Sequence, residues 1–198
     1  MTGYQRMIEI VPYQERWPEE FLRIGRALRA GLGDLALRID HIGSTSVPGL
    51  GAKDVIDVQV TVAALFPKDT LIAAFQEAGG YSIRGDIQTD HRPLGDDNPP
   101  EQWQKRYFRE PDGQRRTHVH VRVAGAANQR YALLFRTFLR ENRLAAANYE
   151  KLKRELSRLH PHDIDAYLAV KEPAFGLIMI AAEAWAGATA WQPSTSDI

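Results

Sequence analysis

The first residues suited to chemistry are a glycine and hydroxyl turn, Gly43-Ser44-Thr45-Ser46, followed by Lys53 and then by Asp57. Glycine lets a ligand approach the backbone, and the hydroxyls and amides of the turn can bind an anion. Asp57 falls inside an apolar run, where a carboxylate is costly to bury unless a metal ion or another group pairs with it. These residues predict a site for phosphate and a metal ion. The alternatives are a surface turn whose hydroxyls satisfy its own amides and an Asp57 that is satisfied by Lys53 or by backbone amides.

The second segment is Thr117-His118-Val119-His120-Val121. In a strand, a spacing of two residues puts both imidazoles on one face and both valines on the other. If the histidines lie beside Asp57, the three groups form a His-His-Asp site for a divalent metal ion (Mg, Mn or Zn), and histidine favours Zn or Mn. The histidines could also bond a phosphate, or lie on a solvated sheet face without a ligand.

Gln59 lies two residues beyond Asp57 and therefore on the same face of the strand. Two-metal phosphoryl or nucleotidyl transfer requires several carboxylates, whereas the Gln59 amide binds Mg²⁺ weakly. Asp54 cannot replace it, because a spacing of three residues turns its side chain to the opposite face. A non-catalytic binding protein therefore remains an alternative to an enzyme.

Cations on the later helices are further candidates for phosphate binding. Arg136 and Arg140 lie four residues apart on one predicted helix, Lys153 lies beside Tyr149 on the next, and Lys171 follows. Such charges commonly form a solvated helix face. Alternatively, the helical half covers a cleft and directs them at the ligand, with arginine binding oxygens as a fork and lysine as a point charge.

The elements that position these residues follow from the apolar spacing. It predicts an α/β protein, with a mixed sheet in residues 1–124, a helical subdomain in residues 125–190 and a flexible tail in residues 191–198. Residues 87–101 are rich in proline, glycine and aspartate and predict a mobile loop. The predicted elements are a helix from Pro18 to Gly31, strands at 35–42, 55–62 and 81–83, a helix at 69–78, a hairpin at 104–123, and three later helices, the last capped by Asp163.

Composition excludes several classes of protein. The 198 residues hold 25 Lys and Arg, 25 Asp and Glu, and no cysteine. Disulfides, thiolate metal sites and thiol nucleophiles are excluded, and the balanced charge argues against nucleic-acid or membrane partners. Met1–Arg6 lacks the apolar core of a signal peptide, and no apolar run is long enough to span a bilayer. A cytoplasmic protein is expected.

The segment His41–Leu50, together with Ala52-Lys53 and Ile56-Asp57, resembles the signature of the GrpB family, also known as UPF0157. Later motifs follow in the family's order, so the resemblance covers nearly the whole chain: Phe138-Leu139-Arg140, Tyr149-x-x-Leu152-Lys153 and Tyr167-x-x-x-Lys171. This domain is also fused to some dephospho-CoA kinases. The resemblance implies a nucleotidyltransferase-like fold, in which a Gly-Ser turn holds a triphosphate and the next strand holds the metal ion. It puts histidine where such transferases carry a third carboxylate.

The predicted function is binding of a nucleotide or other phosphorylated small molecule with a divalent metal ion, in a cleft between the sheet and the helices. In the enzymatic version, Ser44 and Ser46 hold the β- and γ-phosphates, and Asp57 with the two histidines positions the metal ion. Lys153 and Lys171 neutralise the departing pyrophosphate. The alternative is a non-catalytic folding or interaction module with an unidentified protein partner. The predicted phosphate-binding residues are Gly43, Ser44, Thr45, Ser46, Lys53, Arg136, Arg140, Lys153 and Lys171.

Overall fold

The computed structural model describes residues 7–198. Residues 1–6, for which the sequence predicts no signal peptide, lie outside the described residues. The elements are a mixture of helices and strands up to residue 123 and are helical from there to residue 189. They are α1 (Arg16–Leu32), β1 (Arg38–Ile42), β2 (Ile56–Val62), α2 (Lys68–Glu77), β3 (Ser82–Ile83), β4 (Arg106–Arg109), β5 (Thr117–Val123), α3 (Ala127–Glu141), α4 (Arg143–Leu159) and α5 (Ile164–Thr189). None of the helices within residues 7–198 meets the length and hydropathy that a membrane span requires.

The five strands found in residues 7–198 form one mixed sheet in the order β1-β2-β5-β4-β3. Strands β2 and β5 are parallel, and their register pairs Asp57 with His118 and Gln59 with His120. The other strand pairs are antiparallel. Because side chains alternate along both parallel strands, paired residues emerge on the same face of the sheet.

One face of the sheet forms the main apolar core. Val58, Val60, Val119 and Val121 are fully buried there, in one cluster with residues of α1 and α2 such as Phe75. Burying a valine contributes about 1.5–3 kcal/mol. A slip of one residue in register would exchange the two faces, so this core fixes the polar residues of β2 and β5 on the opposite face.

The helical half confirms the spacing read from the sequence. The Asp163 side chain caps α5 by accepting a hydrogen bond from the amide of Ala166 at 2.9 Å, and Pro173 lies inside that helix. A second apolar cluster joins α3, α4 and α5 to Val47 and Leu50, which follow the hydroxyl turn. The helices are thereby held against the turn.

The prediction of a flexible tail at 191–198 needs correction, because these residues lie along the edge of β1. The amide of Ile39 donates to Ser196 Oγ at 2.8 Å, and the amide of His41 donates to Asp197 Oδ2 at 2.9 Å. The Ile198 amide donates back to the Ile39 carbonyl at 3.2 Å. An edge strand otherwise leaves its backbone groups unpaired, and the tail satisfies them.

The segment predicted as a mobile loop, 87–101, is also anchored. Thr89 pairs with Gln104, and the short 3-10 helix Pro100–Trp103 ends in a tryptophan that is buried. Within this segment, Asp90 is bound by cations of the sheet, as described below. The polar composition that predicted mobility supplies the groups that fix the segment.

Candidate metal and phosphate site

Asp57 of β2 and both histidines of β5 meet on the polar face of the sheet. The Nδ1 atom of His118 lies 3.1 Å from Asp57 Oδ1, and Nε2 of His120 lies 3.7 Å from the same oxygen. One ligand atom from each residue lies within 4.8 Å of the others, and the group is the only such metal-capable set among residues 7–198. The side chains are 16 to 25% exposed, so all three can be reached by a ligand.

The protonation states of Asp57 and His120 suit metal binding. Burial alone would raise the pKa of Asp57, but hydrogen bonds from His118 and His120 hold that pKa well below its usual range. Burial, and next the charge of Lys105, lowers the pKa of His120 to about 4, so this imidazole is neutral at pH 7. Neutral imidazole and carboxylate are donors that transition metals accept. Two nitrogens and one carboxylate therefore fit a divalent ion of the Mn or Zn type.

Gly43 brings the turn backbone against the Asp57 carboxylate. A Cβ atom at this position would lie 2.4 Å from Asp57 Oδ2, and the φ angle of Gly43 is +69°. Both the close approach and the left-handed backbone require glycine. The turn is thus seated directly beside the metal-capable group.

Lys153 of α4 reaches across to the turn. Its Nζ donates to Ser44 Oγ at 3.0 Å and to the Gly51 carbonyl at 2.6 Å. Burial, and next the charge of Lys171, lowers the pKa of Lys153 to about 7. The same two causes lower the pKa of Lys53 to about 8. Three ammonium groups that repel one another at one place provide a site for a polyanion.

A cavity of about 650 Å³ joins these groups. Of the described residues, seven lysines and arginines but only three carboxylates line it, although the whole chain has zero net charge. The aromatic side chains on its wall are Trp103, Tyr107, Tyr131, Phe135, Tyr149, Tyr167 and Phe175. The cavity therefore suits an anion that also carries an apolar or aromatic group.

Three of the predicted phosphate ligands lie outside the cavity wall and hold the turn from behind. Ser46 Oγ donates to the Gly43 carbonyl at 2.6 Å, and Arg140 donates to the Ser46 carbonyl at 2.7 and 2.9 Å. Arg136 is buried and donates to the His41 carbonyl and the Asp197 carboxylate. Since these side chains are directed to protein groups, we leave Ser46, Arg136 and Arg140 out of the ligand site.

Thr45 is on the cavity wall, but its hydroxyl is directed inward. Its Oγ1 donates to the Val55 carbonyl at 3.2 Å and lies 3.1 Å from Nε2 of the buried His41. Burial lowers the pKa of His41 to about 3, so this imidazole stays neutral. Thr45 and His41 therefore fix the turn, while Ser44 faces the ligand side.

Gln59 is fully buried and takes no part in a metal site. Its Nε2 donates to the Gln129 carbonyl at 3.2 Å, and its Oε1 accepts from Arg122. Asp54 precedes β2, and Trp17 of α1 donates to its carboxylate at 2.7 Å, so Asp54 does not join the metal-capable group. Among the described residues, Asp57 is therefore the one carboxylate of the metal-capable group.

Sequence reasoning missed Asp90. Its carboxylate accepts from Arg122 at 2.7 and 2.9 Å, from Lys105 at 2.6 Å and from Asn128 at 3.0 Å. Burial would raise the pKa of Asp90, but Arg122 above all holds it well below its usual range. The available signal was Arg122, which shares a strand face with His120 and is costly to bury without a carboxylate partner.

The mixed sheet, the C-terminal helices and the cavity between them define an α/β protein. More particularly, the chain belongs to the GrpB family: the model for GrpB protein matches residues 7–180. The crystal structure of conserved protein GrpB from Enterococcus faecalis is similar, with a TM-score of 0.70 and 32% identity, covering 89% of this chain and 99% of that one.

The sequence relatives agree with this assignment. A dephospho-CoA kinase of Mycolicibacterium paratuberculosis is 37% identical over 94% of this chain but only 48% of its own length. The chain thus spans about half the length of the dephospho-CoA kinases it matches. A UPF0157 protein of Halalkalibacterium halodurans is 31% identical over 93% of this chain and 87% of its own length. The Cid1 poly(U) polymerase is also among the structural neighbours, at 12% identity and a TM-score of 0.45, over 75% of this chain and 43% of its own.

Proposed function

We propose that this protein binds a nucleotide, or a similarly phosphorylated small molecule, together with one divalent metal ion. The observation that carries the proposal is the convergence of two kinds of ligand on one cavity. The Asp57, His118 and His120 group supplies metal ligands, and Ser44 with Lys53, Lys153 and Lys171 supplies groups that bind phosphate oxygens.

Each part of the cavity has a distinct chemical task in this proposal. A divalent ion held by the Asp57 group would polarise a phosphoryl oxygen. Lys53 and Lys171 would bind the remaining phosphate oxygens as point charges. The wall around Phe135 and Phe175, whose rings stack, offers apolar surface for a base.

The finer form of the proposal is metal-dependent nucleotidyl transfer. With Gln59 bonded to protein groups, the described residues provide ligands for one ion rather than for a pair. In this form, Asp57 and the histidines position the ion at the α-phosphate, and Lys153 with Lys171 stabilises the departing pyrophosphate. Binding is the first property to test, because transfer depends on it.

The test is a thermal-shift titration with ATP alone, with MnCl2, ZnCl2 or MgCl2 alone, and with ATP together with each metal salt. We expect ATP together with a metal ion to raise the unfolding midpoint most. A ligand at about 100 times its dissociation constant adds about 2.7 kcal/mol to the free energy of unfolding. Asp57→Asn should abolish the joint effect and keep the fold, and Asp86→Asn, at an exposed aspartate, serves as the matched control. Equal stabilisation of the Asp57→Asn variant would contradict the proposal.

A second candidate is a non-catalytic accessory module that contacts a kinase. It is favoured by the match of this chain to about half of each dephospho-CoA kinase. The test mixes this chain with the separately expressed remainder of the Mycolicibacterium paratuberculosis kinase and measures complex formation by calorimetry. A measurable complex together with no response to metal ions or ATP would favour this candidate over the first.

A further inference from the structure

We propose that Ser44 and Lys153 form a serine–lysine pair, in which Ser44 is a nucleophile toward phosphorus and Lys153 is its general base. This activity goes beyond ligand binding, because it makes Ser44 a covalent acceptor. The reacting group would be a phosphoanhydride whose oxygens are bound by the neighbouring lysines. None of the metal-capable residues takes part in the step.

The geometry is that of an activated nucleophile. Lys153 Nζ lies 3.0 Å from Ser44 Oγ, within the range of about 2.6–3.2 Å that such pairs require. A third group orients the base, because the Gly51 carbonyl accepts from the same Nζ at 2.6 Å. The Gly51 amide in turn donates to Glu150 Oε2 at 2.7 Å, which fixes this carbonyl relative to α4.

Ser44 is exposed to the cavity while its base is not exposed to solvent. Ser44 is half-buried on the cavity wall directly after Gly43, and Lys153 is only 2% exposed. A phosphorylated molecule in the cavity can reach the hydroxyl, and water reaches the amine poorly. A simple surface hydrogen bond would not bury the ammonium group to this degree.

The charges around Lys153 favour its neutral form, which a base requires. Burial, and then the neighbouring cations, lowers its pKa to about 7, and one carboxylate opposes them. The groups that face Lys153 are Lys171 from α5, Lys53 from the segment before β2, Glu150 and Arg154 from α4, and the Tyr149 ring at 4.8 Å.

The step balances within these groups and the ligand. Ser44 Oγ forms a bond to phosphorus as its proton passes to the neutral Lys153 amine. The bond between that phosphorus and the bridging anhydride oxygen breaks, and the leaving phosphate departs with the electron pair. The Lys153 ammonium can return its proton to the leaving group. Lys53 and Lys171 neutralise the oxygens of the two phosphates, and a phosphoester on Ser44 results.

The experiment uses a fluorophosphonate probe, a phosphorus electrophile whose leaving group is fluoride, on the full chain without added metal ion. We expect one adduct, located on Ser44 by peptide mass spectrometry, with a rate that rises with pH and is half-maximal near pH 7. Ser44→Ala should remove the adduct, and Ser82→Ala, at an exposed serine, should keep it.

Lys153→Arg separates a base from a phosphate-binding cation, because arginine keeps the positive charge and cannot accept the proton. We expect labelling at least about 100-fold slower, the usual contribution of a general base. Lys151→Arg, at an exposed lysine of the same helix, is the control and should label like the wild type.

Three results would overturn the pair: no adduct on Ser44, wild-type labelling of Lys153→Arg, or a rate that rises only above about pH 10. The last result needs only the wild type, so a variant that fails to fold does not rescue the proposal. Labelling requires neither metal ion nor ATP. Its failure is therefore separate from failure of the metal and ATP titration, and each can occur without the other.

Discussion

Two clusters of charged residues lie side by side on the same face of the sheet and differ in how far their charges are satisfied. In the open cluster, Asp57 meets two imidazoles and borders the cavity lysines. In the closed cluster, Asp90 accepts hydrogen bonds from Arg122, Lys105 and Asn128. Each contains one aspartate, and both draw on alternate residues of β5.

The difference shows that a buried carboxylate alone does not indicate a ligand site. The closed cluster pairs every charge with a geometrically suited partner, so it anchors the segment 87–101 to the sheet. The open cluster combines a carboxylate with groups that are neutral or repel one another, and it borders a cavity. Cations that repel one another beside a metal-capable group are what an anionic ligand complements.

The largest effect on stability should come from breaking the closed cluster. Asp90→Ala leaves Arg122 and Lys105 buried without their carboxylate, and loss of one partner of a buried pair costs about 3–5 kcal/mol. Denaturant unfolding measures this cost. Asp86→Ala breaks an exposed pair with Arg84, which solvent screens, and should leave the free energy of unfolding nearly unchanged. Equal losses of unfolding free energy in the two variants would show that Asp90 does not hold a buried charge cluster together.

The next effect concerns metal affinity and should appear only in the open cluster. We expect His118→Ala to weaken Mn²⁺ or Zn²⁺ binding more than about 100-fold, since loss of groups that merely support a ligand costs about 10–100-fold. Isothermal titration calorimetry measures it. Asn128→Ala alters the closed cluster and should bind within about threefold of the wild type, because the Asn128 amide donates to Asp90 and to the Gln104 carbonyl rather than to a metal ligand. A reversed order would assign the ion to the Asp90 cluster.

A smaller effect is expected in the pH dependence of stability. The folded protein releases the Lys153 proton near pH 7, whereas the unfolded chain keeps it until about pH 10.4. The unfolded state therefore binds more protons between these values, and the free energy of unfolding rises with pH by up to about 1.4 kcal/mol per unit. Denaturation at pH 7, 8 and 9 should show a smaller rise in Lys153→Met than in Lys151→Met. Equal slopes would show that the amine is not held neutral.

The smallest effect should follow from adding a carboxylate to the closed cluster. Gln59→Glu places a negative charge beside Arg122, which already contacts this side chain. The new carboxylate should pair with the guanidinium, so Mn²⁺ affinity should stay within about threefold of the wild type. A large gain in metal affinity by calorimetry would mean that this position opens to the ion and that the boundary between the clusters is wrong.

Local patterns in the sequence correctly predicted which strand residues share a face and where the last helix begins. Alternation in β2 and β5 predicted that Asp57 and Gln59 share a face and that His118 and His120 share a face, because side chains in a strand alternate. The Asp163 cap and the helical half followed from polar and apolar spacing. The hydroxyl residues after Gly43 indicated a ligand-binding turn, and the close approach of Gly43 to Asp57 explains why this position requires glycine.

Contacts between residues distant in sequence could not be predicted from local patterns. Arg136 and Arg140 share a helix face as predicted, yet their guanidinium groups hold His41 and Ser46 backbone rather than line the cavity. Asp90 looked like one residue of a polar loop, because its partners come from strands and a helix distant in sequence. The tail pairs with β1 through contacts that no spacing rule encodes.

The sequence by itself determined which side chains leave each strand together and which residues suit phosphate and metal chemistry, since these depend on backbone periodicity and side-chain type. Only the tertiary structure decided that β2 and β5 lie side by side in parallel, so that Asp57 meets both histidines. It also decided which cations face a cavity and which are already bonded. Those outcomes depend on packing between distant segments, where burial makes each charge take a protein partner or leaves it for a ligand.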